Sequence, residues 1–290
     1  MERINTEIAE REEEPMKLGV ALPYTSAREI AELAALAEEH GWDGAFVGDA
    51  VWTVDPIVSL TAAALRTQRI RLGVMVVPVP LRKPWKTASE AAALDNLSGG
   101  RVTLALATGA AWMGWHAFPD EVTDTRQRAE MLDETVDILT GLFAGQPFDY
   151  DGKHYRVRLT ALDPQYYPPR PVQQPRIPLW VVGAWPRMKS MRRALKCDGV
   201  LPVKLDAGGQ MGALTPAEVA EVNAYIKANR ASDAPFDIVI EGSTAGLTPA
   251  ERRARLDAWE QAGATWWIEG LWGASFEEAA ARIRAGVGEE

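Results

Sequence analysis

The side chains that most often do chemistry are thinly spread in this sequence. His40, His116 and His154 are its three histidines, each isolated, so no His-Glu-x-x-His pair is present for zinc. Cys197 is the single cysteine, which leaves no Cys-x-x-Cys and no intrachain disulfide. No Gly-x-x-x-x-Gly-Lys cradles a phosphate, and no Gly-x-Ser-x-Gly presents a nucleophilic serine. Zinc hydrolases, P-loop NTPases and α/β-hydrolases are disfavoured on these grounds. What remains is a set of acids, small residues and indoles. Asp49, Glu241 and Glu269 end predicted strands, and Lys204 could form a Schiff base in an aldolase-type enzyme. Gly183-Ala184-Trp185-Pro186-Arg187 offers backbone N–H groups and a guanidinium to a phosphate, with an ordinary tight turn as the alternative. Asn96-Leu97-Ser98 matches the glycosylation sequon, which here reads as a chance match at a helix end.

Residues so scattered need a frame to bring them together. The chain alternates short β-rich apolar runs with Ala/Leu/Glu-rich stretches of helical period. Strands are expected at Lys17–Leu22, Gly44–Gly48, Ile70–Val77, Arg101–Ala107, Ile177–Val182, Gly199–Val203, Phe236–Glu241 and Ala264–Glu269. A helix follows each one: Ala27–His40, Pro56–Leu65, Pro84–Leu97, about Thr125 to Leu142, Arg187–Lys196, Pro216–Asn229, Pro249–Gln261 and Ser275–Arg284. Ser26, Asp55, Thr215, Thr248 and Ser275 are the expected N-caps, and Ser275 with Glu278 reads as a capping box. Eight strand–helix units with right-handed crossovers can close and leave no free edge. The expected fold class is therefore α/β, a (β/α)8 TIM barrel. An open doubly wound sheet is the alternative, but Leu22-Pro23-Tyr24-Thr25-Ser26 after the first strand lacks the glycines of a dinucleotide motif.

Residues 146–175 interrupt the rhythm and read as an insertion between strands 4 and 5, too short for a core of its own. Asp151-Gly152 inside it signals a type I′ turn. Residues 1–15 hold six acids and two bases and read as a flexible acidic extension or a remnant of cloning, ahead of a barrel domain over 16–290. Hydrophobic residues make up 47% of the chain, enough for a large core, and the net charge is −9. That balance gives no electrostatic reason to bind nucleic acid or an anionic membrane. No secretory signal is evident, and the apolar run near Leu72–Leu81 is too short to span a bilayer. A cytoplasmic location is expected.

In a β/α barrel, function gathers at the carboxyl ends of the strands. Those ends read Pro23-Tyr24, Gly48-Asp49, Val76-Val77-Pro78, Thr108-Gly109, Gly183-Ala184-Trp185, Pro202-Val203-Lys204, Glu241-Gly242-Ser243 and Glu269-Gly270. Catalytic pairs are scarce there, while small residues and exposed backbone are plentiful. Trp52, Trp112, Trp115, Trp185, Trp267 and Trp272 lie on or near this rim. A wide aromatic mouth with few acids suits a large planar organic cofactor that brings its own reactivity. Glu241 and Glu269 would repel an anion, so the loop after strand 5 is the better holder of a phosphate.

Several stretches carry a family resemblance. Arg82-Lys83-Pro84-Trp85-Lys86, Glu90 and Leu94-Asp95-Asn96-Leu97-Ser98-Gly99-Gly100-Arg101 resemble the signature of the bacterial-luciferase-like flavin-dependent oxidoreductases. Glu38 to Gly44, Gly183 to Pro186, Cys197 to Val200 and Ala262 to Glu269 add to the likeness, which spans about Met16 to Arg284. The resemblance implies a barrel that holds reduced FMN, or alternatively the deazaflavin F420, at the strand carboxyl ends. It implies a non-proline cis peptide at about Val76-Val77, beneath the flavin ring. It maps cofactor contacts to Asp49, Val76, Val77, Thr108, Gly109, Gly183, Ala184, Trp185 and Arg187. The expected reaction is a monooxygenation of a small organic substrate by reduced FMN and O2, with the tryptophan-rich loop as a lid that excludes water. F420-dependent hydride transfer and a non-catalytic flavin-binding protein are the alternatives. A separate flavin reductase is the implied partner, and a homodimer is expected by analogy. This sequence departs from its relatives at Ala50, where many carry His, and at Ala110, where F420-dependent sugar-phosphate dehydrogenases carry Glu. Asp49 and His116 are the candidate catalytic residues, His116 supplying a proton from the mobile loop.

Overall fold

The computed structural model describes residues 15–145, 148–205 and 211–286. The acidic extension expected over 1–15 lies almost wholly outside the described residues. The strands are β1 (Lys17–Ala21), β2 (Gly44–Val47), β3 (Arg71–Pro78), β4 (Val102–Ala107), β5 (Asp149–Asp151), β6 (Arg156–Arg158), β7 (Leu179–Trp185), β8 (Gly199–Leu205), β9 (Met211–Gly212), β10 (Asp237–Gly242) and β11 (Trp266–Gly270). Among the described residues, eight of these run parallel and close into a barrel in the order β1, β2, β3, β4, β7, β8, β10, β11, with β11 pairing back to β1. The TIM-barrel expectation holds. β9 is an added antiparallel partner of β8, and β5 and β6 form a separate hairpin.

The helices pack outside: α1 (Ala27–Glu39), α2 (Pro56–Ala64), α3 (Pro84–Ser98), α4 (Thr125–Ala144), α5 (Met188–Ala194), α6 (Pro216–Asn229), α7 (Pro249–Gln261) and α8 (Phe276–Arg284). No helix among the described residues is long and apolar enough to cross a membrane. Their starts follow local chemistry. Ser26, Thr215, Thr248 and Ser275 each accept from the N–H of a Glu three residues on, whose carboxylate accepts from the cap in return. Asp55 accepts from the Val58 N–H ahead of Pro56.

Alternation along each strand separates two apolar layers. Outward residues such as Val20, Ala45, Leu72, Leu104, Val181 and Ile240 pack against the helices. Inward residues fill the floor of the barrel, where Phe46, Trp180 and Trp266 meet with ring centroids 5.4 to 5.8 Å apart. Glycines make room for this plug. A Cβ on Gly44 or Gly73 would stand 2.6 or 2.5 Å from the Phe46 ring. The Trp180 indole donates to Asp237 at 2.9 Å, which satisfies its one polar atom.

Two local expectations need correction. Asp151-Gly152 does not form a two-residue turn. Asp151 pairs with Arg156, so the hairpin connection is the four residues 152–155. The cause is Glu134 on α4, whose carboxylate accepts from the N–H groups of Lys153, His154 and Tyr155 and so organises the longer loop. β7 begins later than the strand expected at Ile177–Val182 and runs on through Trp185, and β11 starts at Trp266 instead of Ala264. Buried strand ends in a barrel carry no polar punctuation to mark these limits.

Candidate active site

The two ends of the barrel differ. Phe46, Trp180 and Trp266 are at most 2% exposed at the floor. At the carboxyl ends the inward-facing Val76, Val182 and Trp272 are only half-buried, so the mouth is open. β3 contributes an irregularity here. Its register with β4 shifts between Met75 and Val77, and the bulge turns two consecutive side chains, Met75 and Val76, inward. The non-proline cis bond is Met75-Val76, one residue before the expected place. Val77 then points outward into the strand–helix layer, away from the mouth.

β1, β10 and β11 supply a polar and aromatic edge. Tyr24 stacks on Trp272 at 5.7 Å, and its hydroxyl lies over Gly48, where a Cβ would stand 2.4 Å away. The Trp272 indole donates to Glu241, which alternation turns inward, beside Gly270. Burial raises the Tyr24 pKa above its ordinary value, and the negative charges of Asp49 and Glu241 raise it further. Crowding by the walls also raises Glu241, with the Trp272 bond as a partial offset. Its side chain is nevertheless exposed to the opening, so water tempers that rise.

Asp49 at the end of β2 is tied to Arg82. The guanidinium bonds Asp49 at 2.7 Å, Asp55 at 3.2 Å and approaches Glu90 at 3.5 Å. Burial pushes Asp49 upward and the Arg82 pairing opposes it, while the surrounding carboxylates hold Arg82 firmly charged. Asp49 is thus a fixed acceptor and not a free base.

The end of β4 is held from behind. Arg128 on α4 donates to the carbonyls of Thr108 and Gly109 and lies over the Trp115 ring at 5.1 Å. Gly109 has φ +79°, and a Cβ there would fall 2.6 Å from Trp115, so glycine is required twice over. Trp115 is buried and anchors the loop. Trp112 and Trp52 stand 78% and 84% exposed, and Phe118 approaches Trp52 at 6.5 Å. His116 lies on this loop, exposed, with no hydrogen bond or ion pair among the described residues.

The loop after β7 differs from expectation. The Ala184 N–H already donates to the Ser190 hydroxyl, and Gly183 faces Met191 of α5. Trp185 turns away from the mouth, donates to Glu221 and meets Tyr225 edge-on at 5.9 Å. The Arg187 side chain remains exposed and unpaired among the described residues. Trp267 packs outward, and Glu269 is sealed there by Thr244, Trp267 and Arg282, so it does not reach the mouth. Lys204 is exposed and paired with Glu218, which removes the motive for a Schiff base.

Sequence reasoning placed Tyr24, Glu241 and Trp272 near strand ends but gave them no joint role. Arg82 was seen only as part of a motif. The inward parity of β10 could have singled out Glu241.

Similarity to known proteins adds to this geometry. Residues 12–287 match the family model described as luciferase-like monooxygenase. Over 205 residues the chain is 34% identical to a Mycobacterium tuberculosis protein provisionally named a coenzyme F420-dependent oxidoreductase, covering 65% of this chain and 55% of that one. Over 163 residues it is 28% identical to the oxygenase component of a flavin-dependent trigonelline monooxygenase from Acinetobacter baylyi, covering 54% and 43%. The chain thus spans about half the length of these curated relatives. In three dimensions it resembles the monooxygenase RslO1 of Streptomyces bottropensis with a TM-score of 0.72 at 23% identity, covering 94% and 98%, a likeness of fold alone.

Proposed function

We propose a reaction at the barrel mouth from one premise: the chain belongs to the luciferase-like monooxygenase family. It is accordingly an oxidoreductase of the flavin- or F420-dependent class. Within that class, we read it as a monooxygenase that uses reduced FMN and O2 on a small organic substrate. The observation that carries this reading is the contrast between a solid aromatic floor and a half-open mouth walled by Val76, Val182, Tyr24 and Trp272.

The residues present fit a tricyclic ring. Val76 and Val182 give it an apolar wall, and the Tyr24–Trp272 stack gives it an aromatic edge. Arg187, exposed and unpaired among the described residues, is available to a phosphate, though the Ala184 N–H is not. When bound, reduced FMN supplies the electrons that activate dioxygen. The chain's own residues bind, orient and exclude water. Trp52, Trp112 and Phe118 form the apolar lip that closes over substrate. Arg82 holds Asp49 behind the mouth, in the layer between β2, β3 and the helices, where it braces the strand end. Tyr24 holds a proton at its hydroxyl oxygen over Gly48, and its raised pKa suits it to donate a hydrogen bond that orients a bound group, not to act as a strong acid. The Acinetobacter relative is named as an oxygenase component, which supports a separate reductase as partner.

F420-dependent hydride transfer is the second reading, favoured by the name of the Mycobacterium relative. Anaerobic titration of the purified protein with FMN and with F420, each oxidised and reduced, separates the two. Preferential binding of reduced FMN with substrate-dependent O2 uptake supports the first, and preferential F420 binding supports the second. Binding of neither overturns both.

A further inference from the structure

Outside the barrel, a second concavity has its own chemistry. A cavity of about 640 Å³ lies between α3, α4 and the insertion, and none of the mouth residues lines it. Its volume is in the range of small-molecule sites. Ala88, Ala92, Phe143, Val157, Leu159 and Tyr166 make its apolar walls. Its charged lining is of one sign. Lys86, Arg156, Arg158 and Arg170 border it and, among the described residues, no carboxylate does, in a chain of net charge −9. Arg158 is engaged by Asp151, but Lys86, Arg156 and Arg170 have no ion pair or side-chain hydrogen bond among the described residues.

The cavity is held open by specific bonds. Asn96 on α3 donates to the Arg170 carbonyl at 2.8 Å. Asp95 accepts from the Gln173 N–H at 3.0 Å and from its side-chain amide at 2.7 Å. These bonds stitch the proline-rich return of the insertion to the helix. Gly145, at φ +105°, makes the niche for Arg170, since a Cβ there would stand 2.6 Å from the guanidinium carbon.

We propose that this cavity is a second ligand site, separate from the barrel mouth, for a small amphiphilic carboxylate with an aromatic or medium-chain aliphatic body. The apolar walls take the body, and the unopposed cations at the rim take the carboxylate. A neutral ligand of the same shape would leave those cations unpaired, and an acid without an apolar body would leave the walls wet.

Calorimetric titration of the full-length protein with 2-naphthoate and octanoate tests this, with 2-naphthamide and octanamide as neutral counterparts. Saturable binding of the acids, at least tenfold tighter than the amides, is expected. The double variant Arg156→Glu, Arg170→Glu should weaken the acids at least tenfold and leave the amides nearly unchanged. Both side chains are exposed and unpaired among the described residues, so the variant should fold, which a thermal melt checks. Ser89→Phe, which fills the cavity from α3, should abolish binding of both kinds. These variants localise the site whether or not any flavin binds at the mouth. Equal affinity for acid and amide, indifference to the charge reversal, or competition by saturating FMN would each overturn the proposal. So would the absence of saturable binding by either acid.

Discussion

Arg82 stands among Asp49, Asp55 and Glu90, and truncating it leaves Asp49, 6% exposed at its side chain, as a charge without its partner. Arg82→Ala should therefore lower stability by about 3 kcal/mol, the usual scale for stranding one member of a buried pair. Urea unfolding measures this, and adding Asp49→Ala should restore part of the loss, because the orphaned charge goes with it. Glu241 makes a different prediction. Its pKa is raised by the crowded mouth, so it keeps its proton to a higher pH than a free glutamate does. Glu241→Gln should flatten the acid limb of the pH profile of turnover and leave the alkaline limb, where the raised Tyr24 would titrate, in place. A profile unchanged on both sides removes Glu241 from the chemistry. Little of this cluster could be read in the chain. Tyr24 and Glu241 are far apart in sequence, and only closure of the barrel brings them around one opening. Trp185 and Glu269 looked equally suited to the mouth. Their outward direction rests on strand parity and on where β7 and β11 begin, which a buried apolar run leaves unmarked.

At the scale of elements, the stretches that carry the family resemblance turn out to be joints. Arg101 donates to the carbonyls of Ala64, Thr67, Ile70 and Ser98, tying the end of α2 and the start of β3 to the end of α3. Arg101→Ala leaves these acceptors unpaired and should cost about 3 kcal/mol of unfolding free energy, read from denaturant midpoints. Glu38 plays the same part for the turn before β3, accepting from the N–H groups of Gln68, Arg69 and Ile70. Burial alone would raise its pKa, but those N–H groups outweigh burial and hold it below the ordinary value. The depressed folded pKa means that its stabilisation is present above the unfolded value, roughly 4.3, and is lost as pH falls through the folded one. The urea midpoint should hold near pH 6 and drop below about pH 4.5. Glu38→Gln should be weaker at neutral pH and show a smaller acid-side drop. Helix starts were legible because capping is local chemistry: a Ser or Thr, then a Glu three residues on. The hairpin turn was misread because its cause, Glu134, sits on another element.

On the scale of the whole molecule, the floor plug sets the tolerance of the barrel. Gly73→Ala would bring a methyl to 2.5 Å from Phe46 and 3.1 Å from the Thr103 carbonyl. The ring has no slack, because Trp180 and Trp266 flank it, so a loss of about 1–3 kcal/mol is expected in a thermal or urea melt. The eight-unit architecture was readable from rhythm alone, since each strand–helix unit repeats the same period switch. The outer cavity was not, because it exists only where the return of the insertion is bonded back to α3. Closure has a further consequence. β1 takes its second neighbour from β11, and the Trp42 indole donates to the Ile283 carbonyl at 3.1 Å on the last helix. During synthesis β1 therefore keeps one side bare until Trp266–Gly270 has been made. Chaperones that shield such edges would act until then, and a chain truncated before Trp266 leaves that side of β1 unpaired.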